Sequence, residues 1–196
     1  MKYAVDQLKA HVRELAASPT FLHHTWFVQW HIELVERIAL ELAAHYPASD
    51  TELIELLAWV HDYGKVVNRG RDEHTTTLMA APPKLHELGF DEQTIETLMV
   101  LIKRLDNYQD EDLTTAPIEV QIVSSADGCA HLTGPFMQIF WQEFADRPYA
   151  ELMQGNLTKA KKDWHYKIVL PEARQAFEHR YQTVLEQNGE LPEKLV

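Results

Sequence analysis

Residues 51–65 carry the sequence TELIELLAWVHDYGK, an apolar run that ends in an adjacent imidazole and carboxylate. The run is apolar on nearly every face of a helix, which is typical of a helix buried in a protein core. A carboxylate at the end of such a helix, here Asp62, is costly to desolvate unless it is paired or binds a metal. A cation also suits a helix C-terminus, where unpaired carbonyl groups leave partial negative charge. The alternative is that Asp62 pairs with Lys65 or caps a backbone group.

Outside this stretch, apolar residues recur at intervals of three and four over most of the chain, and no long segment alternates as a strand would. Ser49 or Asp50 is expected to cap the helix at 51–61, and Gly64 to end it. An aromatic-rich segment at 21–30 is predicted to lead into a long helix ending near His45. The other predicted helices cover 5–17, a segment from Asp72 that Pro82 and Pro83 kink or end, 91–105, 117–132, 136–144 and 149–187 with a break near Pro171. The pattern predicts an all-α fold.

The composition limits the classes of partner and substrate that the chain is expected to bind. The formal net charge is −12, with 30 acidic and 18 basic residues, so no nucleic-acid polymer is expected as a partner. A small phosphorylated substrate remains compatible, because a bound metal can reverse the local charge. The single cysteine, Cys129, predicts a reducing, cytoplasmic setting. The charged N-terminal stretch does not resemble a signal peptide, and the most apolar segment is too short for a membrane span.

Two further residues are predicted to point into the core. His31 lies on a stripe with Leu34, Val35 and Ile38 at helical spacing, so its ring is expected to face inward. A lone histidine on such a stripe is more often a hydrogen-bonded core residue than a ligand. Asp127 likewise shares a helix face with apolar neighbours, for which an arginine partner is the simple explanation. Two imidazoles and two carboxylates together form a ligand set suited to Mn, Fe, Co, Ni or Zn.

His31, the pair His61–Asp62 and the distant Asp127 resemble the H…HD…D signature of the HD superfamily, which consists of helical, metal-dependent phosphohydrolases. The resemblance runs from about 21 to 132, and HDYGK is similar to a frequent family form with Gly and Lys after the pair. It implies one HD-like domain over 1–196, with its ligand-bearing core at about 21–132 and packing helices at about 133–190. It also implies one divalent metal (Mn, Fe, Co, Ni, Zn or Mg) and hydrolysis of a small phosphoester, for which a nucleotide is favoured.

Binuclear members of the superfamily add two histidines between the His-Asp pair and the last Asp. His74 stands about where the first is expected, whereas residues 103–105 offer Lys, Arg and Leu but no histidine. This departure favours one metal over two. It also weighs against an HD-fold metal-dependent oxygenase, which is one alternative function; a non-catalytic, metal-binding regulatory module is the other. His74 is equally compatible with a contact to substrate and with an exposed surface position.

Several residues near the signature are candidates for substrate binding or catalysis. Lys65 can reach a phosphate, although an exposed lysine is the simpler interpretation. His23 or His24 can donate to a phosphate or protonate a leaving group, but not both. Arg69 and Arg71 form a small basic loop that holds a second phosphate or is simply solvated. His131, four residues after Asp127, is interpreted as a partner that supports a ligand. A homodimer is the default expectation for oligomeric state.

Overall fold

Asp50 is the N-cap of the buried helix that begins at Thr51, and its Oδ1 accepts the backbone N–H of Leu53 at 3.0 Å. The computed structural model describes residues 2–68 and 74–194. Over these residues it contains helices and no strand, so the all-α prediction is confirmed. The α-helices are α1 (Lys2–Ala16), α2 (Glu33–Ala43), α3 (Thr51–Val60), α4 (Tyr63–Val67), α5 (His74–Glu87), α6 (Glu92–Asp106), α7 (Ile118–His131), α8 (Phe136–Glu143), α9 (Tyr149–Lys162) and α10 (Pro171–Gln187).

Two short segments adopt the wider π-helical geometry, Val28–Ile32 and Asp163–Lys167. We call them the first and second π-helical segments. A single 3₁₀ turn, Leu113–Thr115, precedes α7. Both π-helical segments pack against α7, and segments of this kind are frequently found at functional sites.

Helix α7 lies at the centre of the molecule. Every residue from Ile122 to His131 is buried, and the helix packs against α2, α3 and α6. The apolar core around it draws on helices from both ends of the chain, from Val5 in α1 to Val184 in α10. Asp127 therefore sits where several helices meet, and every polar atom of its side chain needs a partner there.

Three local predictions need correction. Pro82 and Pro83 do not end α5, which runs on to Glu87. The carbonyl that Pro83 leaves without an amide donor belongs to Met79, which is 72% exposed and accessible to water. Gly64 does not end α3; the helix ends at Val60, and Gly64 lies inside α4.

The aromatic-rich segment at 21–30, predicted to lead into a long helix ending near His45, consists of turns and the start of the first π-helical segment, and the helix that follows is α2. A start at Asp72 lies outside the described residues. No helix in the described ranges is both long and apolar enough to cross a membrane.

Candidate metal centre

The four predicted ligands come together although they arise from three separate parts of the chain. His31 belongs to the first π-helical segment, His61 is the C-cap of α3, Asp62 precedes α4, and Asp127 lies in α7. His31 Nε2 is 3.0 Å from Asp62 Oδ2, and His61 Nε2 is 3.6 Å from the same oxygen. All four side chains are buried.

One carboxylate oxygen stands out at this cluster. Asp127 Oδ1 is surrounded by the Nε2 atoms of His131 at 3.4 Å, His31 at 3.6 Å and His61 at 3.9 Å. Within the described part of the chain, neither Asp127 Oδ1 nor His61 Nε2 has a hydrogen-bond partner, although both atoms are buried. Buried polar atoms without partners are costly, so their meeting at one point indicates that a further group belongs there.

The spacing of these atoms suits a divalent cation. Nitrogen and oxygen ligands bind such metals at about 2.0–2.2 Å, which places neighbouring ligand atoms about 3–3.6 Å apart and opposite ones about 4.2 Å apart. The observed separations of 3.0–3.9 Å fall in this range. Two overlapping groups of buried residues, His31 with His61 and Asp62, and His31 with Asp127 and His131, could therefore hold a metal ion.

Hydrogen bonds at the Nδ1 atoms of His61 and His131 orient these two rings so that their Nε2 atoms face the cluster. His61 Nδ1 donates to the Ala58 carbonyl oxygen at 2.8 Å, which leaves a lone pair on Nε2 facing Asp127. His131 Nδ1 lies 2.9 Å from Asp163 Oδ2, in the arrangement of a carboxylate that orients a metal-binding histidine. Asp163 itself is fully buried at the start of the second π-helical segment.

His131 is closer to the centre than the sequence predicts. Its ring stacks on that of His31, with centroids 5.0 Å apart and planes 7° from parallel, and its Nε2 faces Asp127. The sequence predicts that His131 contacts and supports a metal ligand, but its geometry is that of a fifth candidate ligand. The i, i+4 spacing from Asp127 on a buried helix is the signal that pointed toward it.

Two lysines compensate the buried carboxylates. Lys65 Nζ is 2.9 Å from Asp62 Oδ2, and Lys167 Nζ is hydrogen-bonded to Asp127 Oδ2. Burial alone would raise the pKa of Asp62 and of Asp127, but the ammonium groups of Lys65 and Lys167 hold both well below the ordinary value. Burial conversely lowers the pKa of His31, and that of His131 to about 4, so both rings stay neutral at physiological pH.

The cluster forms the floor of a cavity of about 640 Å³. One wall is aromatic and contains Trp26, Phe27 and Phe136. Another wall, which we call the lysine wall, consists of Lys159, Lys162 and Lys167 from α9 and the second π-helical segment. The sequence predicts residues 133–190 only as packing helices, and their contribution to the cavity lining is not among its predictions.

The second π-helical segment is anchored on α7 directly beside Asp127. Ser124 Oγ donates to the Lys167 carbonyl at 3.0 Å, and Ser125 Oγ accepts the N–H groups of Val169 and Leu170 at 3.1 and 3.2 Å. A Cβ atom at Gly128 would lie 2.7 Å from Ile168 Cγ1, so glycine is required for this close approach. These contacts bring Lys167 to Asp127.

The remaining candidate residues differ in position. His23 lines the cavity, and its Nδ1 is 2.8 Å from Glu143 Oε2. The other oxygen of this carboxylate, Oε1, accepts the indole N–H of the neighbouring Trp26 at 2.6 Å. His24 is exposed and lies outside the cavity lining, with its Nδ1 2.9 Å from the Phe21 carbonyl. Arg69, Arg71 and the side chain of His74 lie outside the described residues.

No protein-family model, curated protein or solved structure matches the chain. The function is therefore inferred from the geometry of the centre and from the resemblance of its predicted ligands to the H…HD…D signature.

Proposed function

We propose that this chain is a metal-dependent phosphohydrolase of the HD type that acts on a small phosphorylated metabolite, with a nucleotide favoured. The single observation that carries the proposal is the meeting of unpartnered His and Asp ligand atoms at the floor of a cavity whose wall bears lysines. The floor offers lone pairs for a cation, and the wall offers N–H donors for an anion. A phosphorylated substrate bound through a metal satisfies both.

The favoured ligands are His31, His61, Asp62 and Asp127, with His131 as a fifth. A divalent ion bound there would polarise a phosphate oxygen and lower the pKa of a water molecule. Imidazole nitrogens mixed with carboxylate oxygens suit Mn, Fe, Co, Ni or Zn, with Mg also compatible with the carboxylates. His61 and His131 present their Nε2 atoms to the cluster because Ala58 and Asp163 engage their Nδ1 atoms.

The chain's own side chains would position the phosphate. Lys65 lines the cavity and is held beside the centre by its ion pair with Asp62, so its ammonium group would lie close to a phosphate bound there. His23, oriented by Glu143 at the same cavity, is the favoured donor of a proton to the leaving group. Trp26 and Phe136 line the cavity and offer ring surfaces to a nucleobase or another planar group.

The direct test is phosphate release from a panel of nucleotides, sugar phosphates and phosphodiesters, with Mn, Co, Ni, Zn or Mg supplied in turn. We expect turnover by the wild type with at least one metal, and its loss in His31→Gln and His61→Gln. His24→Gln is the matched control, because His24 lies seven residues from His31 but is exposed and outside the cavity lining. Its activity should equal that of the wild type.

The test also separates the alternatives. Metal binding without turnover of any phosphoester would contradict the hydrolase proposal and favour a regulatory module. Consumption of oxygen by an iron-loaded protein would instead favour an oxygenase. Equal activity in His24→Gln and His61→Gln would place the reaction elsewhere in the molecule.

A further inference from the structure

The lysine wall carries three ammonium groups, and two of them are ion-paired with buried aspartates. Lys167 pairs with Asp127 at the metal centre, and Lys159 Nζ lies 2.9 Å from Asp163 Oδ2. Lys162 also lines the cavity, but no carboxylate within the described residues lies at ion-pair distance from it. It is therefore the member of the wall whose charge no ion pair within the described residues neutralises.

Both Lys162 and Lys167 make cation–π contacts with the ring of Tyr108. Lys167 Nζ is 4.7 Å from the ring centroid, and Lys162 Nζ is 5.7 Å from it. A cation–π contact stabilises an ammonium group without neutralising its charge. Two ammonium groups on one ring, facing a cavity, form a site that an anion would stabilise.

The position of this pair relates it to the reaction. Lys167 contacts Asp127 on one side and Tyr108 on the other, so it links the metal centre to Lys162. Both lysines line the same cavity as the ligand cluster, so an anion bound by them would share that cavity with a phosphate at the centre. The aromatic wall remains available for the organic part of the same molecule.

We propose that Lys162 and Lys167, on the ring of Tyr108, form an anion subsite that holds a second phosphate of the substrate. The inference depends on the proposed function and specifies its substrate class: a molecule with two phosphates in a row, such as a nucleoside diphosphate. Lys159 borders the subsite and keeps Asp163 compensated. Phosphomonoesters would occupy only the centre and would be bound more weakly.

The test compares two inert probes, methylenediphosphonate and orthophosphate, by isothermal titration of the metal-loaded protein. Lys162→Gln is expected to raise the Kd of methylenediphosphonate about tenfold and that of orthophosphate less than about twofold. Lys162→Arg, which keeps the charge, should retain most of the affinity. Metal content before and after each titration excludes chelation as the cause.

Lys161→Gln is the matched control. Lys161 adjoins Lys162 in α9 but pairs with Glu190 and does not line the cavity, so neither Kd should change. An equal effect of Lys162→Gln on both probes, no effect on either, or no binding of methylenediphosphonate by the wild type would overturn the subsite. Hydrolysis of phosphoesters in those cases would leave the proposed function standing. Lys162-dependent diphosphonate binding without any hydrolysis would contradict the function and not the subsite.

Discussion

The ligand cluster and the lysine wall face the same cavity with opposite chemistry. The side chains of the cluster are buried, and His61 Nε2 and Asp127 Oδ1 meet there without hydrogen-bond partners among the described residues. The lysine wall presents N–H donors, and its side chains are only partly buried, with Lys159 29% and Lys167 16% exposed. The ion pair between Asp127 and Lys167 joins the two regions. This contrast is what a site for a cation bound next to an anion requires.

The largest effect on activity is expected when the ion pair between Asp127 and Lys167 is removed. Asp127→Asn removes a proposed metal ligand and leaves Lys167 without its carboxylate, so we expect about a thousandfold loss of kcat/KM, equivalent to about 4 kcal/mol. The free energy of unfolding should also fall by about 2–3 kcal/mol, less than for a fully buried pair because Lys167 is 16% exposed. Kinetics and urea denaturation measure the two effects.

Asp110→Asn is the matched control for this change, because Asp110 is exposed and lies outside the cavity lining. It should alter neither quantity. Full activity in Asp127→Asn would show that the cluster and the lysine wall do not act together.

The next effect concerns pH. Burial lowers the pKa of His131 to about 4, whereas a histidine in the unfolded chain titrates near 6.5. As the pH falls from about 6.5 to about 4, the unfolded chain takes up protons that the folded chain does not, so stability is lost across this window by about 3 kcal/mol. The lowered pKa of His31 acts in the same direction.

Urea denaturation in the presence of a chelator, repeated from pH 7.5 to 4, measures this loss. His131→Gln should show a shallower decline over the same window. A wild-type stability that stays constant between pH 6.5 and 4 would contradict the buried, neutral state of this ring.

A smaller effect is expected where the lysine wall meets α7. Gly128→Ala introduces a Cβ that would lie 2.7 Å from Ile168 Cγ1 and 3.3 Å from Lys167 Cβ. We expect a net destabilisation of about 1–2 kcal/mol, since overpacking outweighs the better helix propensity of alanine. Metal binding should persist, while diphosphonate affinity falls because the Lys167 segment shifts. An increase in stability, as propensity alone predicts, would show that the segment does not pack as described.

The smallest effect is expected at a pair outside both regions. Arg37 Nε donates to Glu41 Oε1 at 3.1 Å, but the two side chains are 76% and 66% exposed. Arg37→Ala should change the free energy of unfolding by less than about 0.5 kcal/mol, because water screens exposed ion pairs. Urea denaturation checks this value, and a loss above 1 kcal/mol would mean that surface pairs and buried pairs in this protein are not energetically distinct.

The two regions also differ in how far the sequence predicts them. Helical periodicity placed His31 and Asp127 on core-facing stripes, and the end of a buried helix marked His61 and Asp62. These are local signals, and the structure brings the four residues together. The all-α class follows from the same periodicity. The single HD-like domain and the superfamily itself stay predictions.

The lysine wall could not be predicted in this way. Lys167 reaches Asp127 only because the second π-helical segment changes the course of the chain and Ser124 and Ser125 hold it on α7. Neither a π-helical segment nor its docking has a clear sequence signature. The i, i+4 spacing of Lys159 and Asp163 was visible, but such pairs are usually solvated. Tertiary packing, rather than local pattern, therefore decides this half of the cavity.

The central claim is that the ligand cluster holds a divalent metal. Elemental analysis of protein purified without chelator tests it most directly, with Asp62→Ala and the control His24→Gln measured in parallel. We predict about one equivalent of metal in the wild type and in His24→Gln, and almost none in Asp62→Ala. No metal in the wild type, even after reconstitution with Mn, Co or Ni, would contradict the account and leave the cluster as a buried polar network.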